Sequence, residues 1–230
     1  VSIKTSRKIN LGAGKTYLPD FINVDISGRA EMTLDLGRDR LPFEDNSIDL
    51  IFSYHTLEHV SNYLFSLSEI HRVLKHGGVF LVGLPYATLT EFHLVNPYHC
   101  HNFNEFSFAF FDPKRLKGSA AEPNEICFDK QFHRFHYMGA FHLIPPPLRS
   151  WCRRHLFNVV RKIDFGLIAV KNPQFATHME YNRTKKLKIL FDQCLNARIP
   201  YDHKSPYEKH GNLTGLARKI LIWWRGGGWL

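Results

Sequence analysis

The stretch INLGAGKTYLPDFINVDI, residues 9–26, decides the fold. A short apolar run ends in Gly12-Ala13-Gly14, a brief connector follows, and a second apolar run ends in Asp25. LDLGRDRLPFEDNSIDLIFSYHTLEHV, residues 34–60, repeats the theme: one strand ends in Asp35, and another, 48–53, runs into a polar loop. Buried strands that end in glycines and carboxylates put polar groups at the carboxyl edge of a parallel sheet. Open α/β sheets bind their ligands at that edge.

Working outward, segments 8–11, 21–25, 32–35, 48–53 and 79–84 read as short buried strands. Residues 61–74 read as a helix with Leu64, Leu67, Ile70, Val73 and Leu74 on one stripe, closed by Gly77 and Gly78. Pro19 and Asp20 leave room only for a turn between the first two strands. The alternation predicts an α/β fold with a mostly parallel sheet. Residues 127–137 alternate loosely and suit a sixth strand, Pro145–Pro147 open an inserted helix, and 163–170 read as the last strand. The expected organisation is one domain over 1–173 with a helical insertion at 138–162, and a basic helical extension over 174–230.

The glycine turn narrows the ligand. A dinucleotide fingerprint needs G-x-G-x-x-G and an acid roughly 20 residues on. Here Tyr17 stands at the third position, and Asp25 follows Gly14 by 11 residues. Gly12 and Gly14 allow close approach of a ligand to the backbone, and Asp25 can accept from two ribose hydroxyls. Nothing in the turn cradles a phosphate. A nucleoside without phosphate fits, and S-adenosyl-L-methionine is the common one.

LGAG at 11–14, NVDI at 23–26, LDL at 34–36, LPFEDNSIDLIFSYHTLEHV at 41–60 and EIHRVLKHGGVFLVGLP at 69–85, taken in order, resemble a class I S-adenosylmethionine-dependent methyltransferase. The likeness is to a compact type found with surface-polysaccharide biosynthesis, and it covers about a third of the chain. It implies a Rossmann-like sandwich whose last strand is antiparallel. It also implies that Asn10, Gly12, Ala13 and Gly14 line the methionine end, that Asp25 binds the ribose, and that Asp35 and Leu36 lie against the adenine. Ser53, His55 and Leu57 would border the reacting centre. Asp35 has a second reading, as the cap of its own turn.

Methyl transfer from a sulfonium is an in-line displacement, so the protein must orient the nucleophile and, for a hydroxyl, take its proton. Histidine is the usual base near neutral pH. His55 comes first, placed after the strand at 48–53, with His99 and His59 as further catalytic candidates and His93 and His101 nearby. Fourteen histidines invite a metal reading. Neither an H-E-x-x-H spacing nor paired magnesium-type carboxylates occur, so the sequence predicts no metal. The four cysteines lack C-x-x-C spacing and read as reduced thiols.

Charge divides unevenly. Residues 1–112 carry 9 Lys/Arg against 13 Asp/Glu, 113–173 carry 11 against 4, and 174–230 carry 10 against 4. A basic second half suits an anionic partner, such as a phosphorylated or lipid-linked acceptor, or a solvated surface. Residues 213–224 place Leu213, Leu216, Ile220, Leu221 and Trp224 on one helical stripe beside Arg218, Lys219 and Arg225. The stripe is expected to pack on this chain or on a second copy as a homodimer, with peripheral membrane contact as the other option. There is no signal-peptide pattern and no apolar run of about 18 residues. The expected location is cytoplasmic, with the inner face of the membrane as the second option. The expected acceptor is a small molecule or a glycan precursor, methylated at a hydroxyl. An RNA acceptor is the rival enzyme reading, but the chain shows SYHTLEHV where an N-P-P-Y-type loop would stand, which argues against nucleic acid. A cofactor-binding scaffold without turnover is the non-enzyme rival.

Overall fold

The first strand, β1 (Lys8–Leu11), buries Ile9, Asn10 and Leu11 in succession. Burial on both faces marks a central strand of a parallel sheet. The computed structural model describes residues 7–112, 126–171 and 181–201. In chain order the elements are β1, β2 (Thr16–Tyr17), β3 (Ile22–Asp25), β4 (Met32–Thr33), β5 (Ile48–Tyr54), α1 (Tyr63–Val73), β6 (Leu74–Pro85), β7 (Phe128–Tyr137), α2 (Pro146–His155), β8 (Val160–Ala169), α3 (Tyr181–Asn196) and β9 (Ile199–Pro200), with short helical turns between some of them.

Seven strands form one sheet in the order β4-β3-β1-β5-β6-β8-β7. β8 runs antiparallel to β6 and to β7, and the pairs β4–β3, β3–β1, β1–β5 and β5–β6 are parallel. The antiparallel strand expected at 163–170 is therefore present, and it lies inside the edge strand β7. Chain order reverses direction between β1 and β5. That is the topological switch point, where the carboxyl ends of neighbouring strands leave a crevice for ligand. Register fixes what meets there: Leu11 lies beside both Val24 and Ser53. The residues that follow, Gly12, Asp25 and Tyr54-His55, accordingly emerge side by side.

Each face of the sheet is covered. On one, Leu67, Ile70 and Val73 of α1 pack with Ile9, Leu11, Ile51, Phe80, Phe103 and Phe165. On the other, Leu187, Phe191 and Cys194 of α3 pack with Leu50, Phe52, Leu81 and Ile168. Within the expected extension, α3 is thus a helix whose apolar face closes the main sheet. β9 then pairs antiparallel with β2.

The expected helix end needs correction. α1 stops at Val73, Leu74 is extended, and its amide donates to the Ile70 carbonyl. Gly77, at φ +77°, lies within β6 and does not close α1. The start is capped, since the Asn62 side chain accepts from the Phe65 amide at 3.2 Å. Leu64, placed on the buried stripe by spacing, is 61% exposed. The stretch 213–224 lies outside the described residues.

Candidate active site

The glycine turn is built by the end of β1. Gly12 and Ala13 both donate to the Val24 carbonyl, at 2.8 and 3.1 Å, which locks the turn onto β3. Gly12 and Gly14 have φ of +71° and +61°, the left-handed region that favours glycine. Their missing side chains face different surroundings. A Cβ on Gly12 would lie 1.9 Å from Thr56 Oγ1, whereas one on Gly14 would meet nothing within 4 Å. Gly12 therefore lets the turn close against the loop after β5, and Gly14 faces open space.

Asp25 ends β3 beside this turn. Its Oδ2 accepts from the Gly14 amide and its Oδ1 from the Ser27 amide, both at 2.8 Å. The carboxylate is thereby oriented along the crevice. Asp35 serves its own turn, with Oδ1 accepting from the Gly37 amide at 2.9 Å. Leu36 packs partly buried against the core, and its carbonyl accepts from Ser66 Oγ at 2.6 Å.

Two sequence-predicted side chains are engaged elsewhere. Asn10 is buried and donates to Asn23 Oδ1 at 2.9 Å. Asn23 in turn holds the Leu18 amide, and the Leu18 and Phe21 carbonyls, so Asn10 braces the connector from within. Leu57 is fully buried in the main core. Neither side chain is open to a ligand. Ser53 is also fully buried, and its hydroxyl has no hydrogen-bond partner.

His55 follows β5 with φ +54°, an uncommon conformation outside glycine, and its amide donates to the Gly83 carbonyl at 2.9 Å. Its Nδ1 lies 3.1 Å from Oε1 of Glu58, which is fully buried. A carboxylate accepts, so Nδ1 carries the proton and Nε2 keeps a lone pair.

Beyond Glu58 lies a chain of histidines. His59 Nδ1 contacts the Tyr98 carbonyl at 3.2 Å, and its ring meets that of His99 at 4.5 Å. His99 Nδ1 is 2.7 Å from His93 Nδ1, and His93 Nε2 is 2.8 Å from Asn102 Oδ1. Burial holds His93 and His99 below the usual histidine range. One atom each of Glu58, His59 and His99 falls within 4.8 Å of the others. His101 turns elsewhere, with Nε2 at 2.7 Å from the Val60 carbonyl and its ring on Tyr63.

Several functional candidates left no mark in the sequence. Tyr54 lies edge-on to His55, with ring centroids 4.5 Å apart. Lys162 of β8 donates to the Tyr54 hydroxyl at 3.0 Å, and Arg198 lies 5.0 Å from the Tyr54 ring centre. Arg198 also donates to Thr16 Oγ1 at 3.0 Å, which brings a guanidinium to the glycine turn. Burial is the main influence on Arg198 and pushes it below its ordinary value. Behind this wall, Asp164 is fully buried against Arg134 at 2.8 Å and His136 at 2.5 Å. Burial acts to raise its carboxyl, but His136, Lys162 and Arg134 outweigh it and hold the group low. These residues come from β5, β7, β8 and the segment after α3, too far apart in the chain for any spacing rule to join them.

Residues 22–82 match the family model described as "Methyltransferase domain". An uncharacterized protein of Methanocaldococcus jannaschii is 31% identical over 108 residues, 47% of this chain and 43% of that protein. A probable S-adenosylmethionine-dependent methyltransferase of Mycolicibacterium smegmatis is 30% identical over 106 residues, 44% of this chain and 35% of that one. The chain thus spans less than half the length of these curated relatives. Among solved structures, a SAM-dependent methyltransferase from Archaeoglobus fulgidus aligns with a TM-score of 0.49 at 12% identity, over 71% of this chain and 86% of that one. Over residues 22–82 the chain is thus similar to a methyltransferase domain, a type that uses S-adenosyl-L-methionine as its cofactor.

Proposed function

We propose that the chain transfers a methyl group from S-adenosyl-L-methionine to a hydroxyl of a sugar or glycan precursor carrying an anionic group. The turn at 12–14 and the Asp25 carboxylate fit the cofactor, with Arg198 as the cation available to its carboxylate end. When bound, that cofactor supplies an electrophilic methyl group. The protein must hold an acceptor oxygen in line and take its proton.

The observation that carries this reading is the His55–Glu58 pair at the switch point, 3.1 Å apart. Glu58 fixes the tautomer of His55 and leaves Nε2 to accept the hydroxyl proton, and the positive charge that develops is balanced by the buried carboxylate. Lys162, donating to the Tyr54 hydroxyl, offers a cation for a phosphate or carboxylate on the acceptor. Tyr98, 75% exposed above His59, offers a flat apolar face for a sugar ring. The basic stripe at 213–224 would dock on the same chain, on a second copy or at a membrane carrying a lipid-linked acceptor.

The test uses labelled S-adenosylmethionine with fractionated cell extract to find the acceptor, followed by the His55→Asn variant. Asparagine tolerates a positive φ, so the loop is kept while the base is lost. Turnover should fall by roughly 10²–10⁴ with cofactor affinity nearly unchanged. Full turnover in this variant would remove His55 as base, and failure to bind S-adenosylmethionine in the parent protein would remove the whole reading.

A further inference from the structure

We propose that Glu58, His59 and His99 form a binding site for a divalent first-row transition ion, with zinc as the reference case, beside the His55 base. The spacing rules that exclude a metal read only local sequence. Here two ligands are adjacent in the chain and the third comes forty positions later. The fold brings them together because the backbone after His99 is pinned to the loop after β5: the Cys100 amide donates to the Glu58 carbonyl at 2.7 Å.

The hydrogen bonds around the cluster prepare it. A carbonyl oxygen can only accept, so His59 Nδ1 is the protonated nitrogen facing Tyr98, and its Nε2 keeps a lone pair. The same logic runs along the second branch. With the Asn102 side chain presenting Oδ1, His93 must donate from Nε2, which leaves Nδ1 as acceptor for the proton on His99 Nδ1. His99 Nε2 is then also a lone pair. Both imidazoles are therefore held as the tautomer a metal requires, each with its other nitrogen hydrogen-bonded to an oriented partner. That is the usual arrangement behind metal-bound histidine.

Glu58 supplies the independent observation. The residue is fully buried, Oε1 is taken by His55, and Oε2 has no hydrogen-bond partner. A buried carboxylate oxygen without a hydrogen-bond partner is costly, and a bound cation removes the cost. Two histidines and one carboxylate leave coordination positions open, as in catalytic zinc sites. Imidazole ligands favour zinc and its first-row neighbours over magnesium. His59 is exposed and His99 half-buried, which leaves those open positions accessible. An oxygen bound there, from water or from the acceptor, would have its proton loosened beside the His55–Glu58 pair. This last consequence rests on the methyl-transfer reading, whereas the site itself does not.

The experiment strips the full chain with chelator, then titrates zinc by calorimetry in parallel with S-adenosylmethionine. Cobalt is added separately, and its visible absorption reports the ligand field. One zinc per chain is expected, unaffected by millimolar magnesium. His59→Ala and His99→Ala should each weaken zinc by at least about 100-fold, beyond the 10–100-fold typical of outer-shell losses. Asn102→Ala should fall within that smaller range, and the exposed His76→Ala should have no effect. Glu58→Gln is informative only where its circular dichroism matches the parent, and the two histidine variants keep the test decisive without it. Zinc binding that is absent, or unchanged in both histidine variants, overturns the site. Zinc bound as expected without S-adenosylmethionine binding would leave the site standing and refute the function proposed above.

Discussion

Gly12 and Gly14 share a left-handed backbone but differ in what a side chain would meet, so alanine at each should fail in a different way. At both positions the added Cβ costs about 1–2 kcal/mol of backbone strain. At Gly14 nothing further is added, because the Cβ enters open space. At Gly12 it would lie 1.9 Å from Thr56 Oγ1 and 2.6 Å from Thr56 Cβ, so the loop after β5 must move. Overpacking of that kind costs roughly another 1–3 kcal/mol. Thr56 precedes the Leu57 core anchor and donates weakly to the Leu11 carbonyl at 3.3 Å, so the displacement would open the seam between β1 and β5. Urea unfolding should therefore show a loss of about 1–2 kcal/mol for Gly14→Ala and about 2–5 kcal/mol for Gly12→Ala. Removing the opposing side chain in Gly12→Ala/Thr56→Gly should recover the overpacking share, a coupling that a double-mutant cycle isolates. Cofactor affinity should rank in the opposite sense to stability: Gly14→Ala, the less destabilised of the two, should bind S-adenosylmethionine at least tenfold more weakly. Equal stability losses at the two glycines, or no recovery with Thr56→Gly, would refute the reasoning.

Asp25→Ala should weaken S-adenosylmethionine at least tenfold by calorimetry, since each charge-assisted hydrogen bond is worth about 1.5–3 kcal/mol. NAD should give a smaller thermal shift than S-adenosylhomocysteine, and the reverse ranking would contradict the reading of Tyr17. Phe191→Ala should cost roughly 3–5 kcal/mol in urea, because the ring is fully buried against Phe52 with centroids 5.5 Å apart. An effect below 1 kcal/mol would mean α3 contributes little to the core. Burial, with Lys171 nearby, lowers His71 from its ordinary 6.5 to about 4. The unfolded chain then takes up the proton first as pH falls, so stability should drop between about 6.5 and 4. Discounted for partial exposure, the loss is about 1–2 kcal/mol. His71→Gln should flatten that slope, and an unchanged slope would assign the acid sensitivity to other groups.

The sheet was legible because its signals are local. A run such as IDLIFSY can be buried on both faces only in the middle of a parallel sheet, and the glycines and Asp25 mark where the strands end. Local signals also misled. The Gly77-Gly78 pair looks like a helix stop, yet α1 ends four residues earlier and the pair falls within β6. Leu64 falls on the stripe by spacing but faces outward, because the face that α1 buries runs through Ser66, Leu67, Glu69, Ile70 and Val73. α3 is the opposite case. Lys185, Lys186 and Lys188 give it the look of a solvated tail, while Leu187, Phe191 and Cys194 supply a narrow buried face.

The site divides along the same line. Its cofactor half comes from two turns 11 residues apart, close enough for sequence spacing to carry meaning. Its reactive half comes from pairings that only the folded sheet creates. His55 is defined as a base by Glu58 three residues on, but Glu58 also faces His59 and His99, and Tyr54 meets Lys162 from the antiparallel strand and Arg198 from beyond α3. Sequence reading could rank His55, His59 and His99 as alternative bases because each carries an imidazole after a strand. Their hydrogen bonds make them unequal. His55 has a carboxylate partner at Nδ1, whereas His59 and His99 are turned toward a shared centre by a carbonyl and by the His93–Asn102 relay. In this arrangement one histidine is placed to take a proton and the other two to act together, so single substitutions should separate them: loss at His55 should change the rate alone, while loss at His59 or His99 should change metal affinity first.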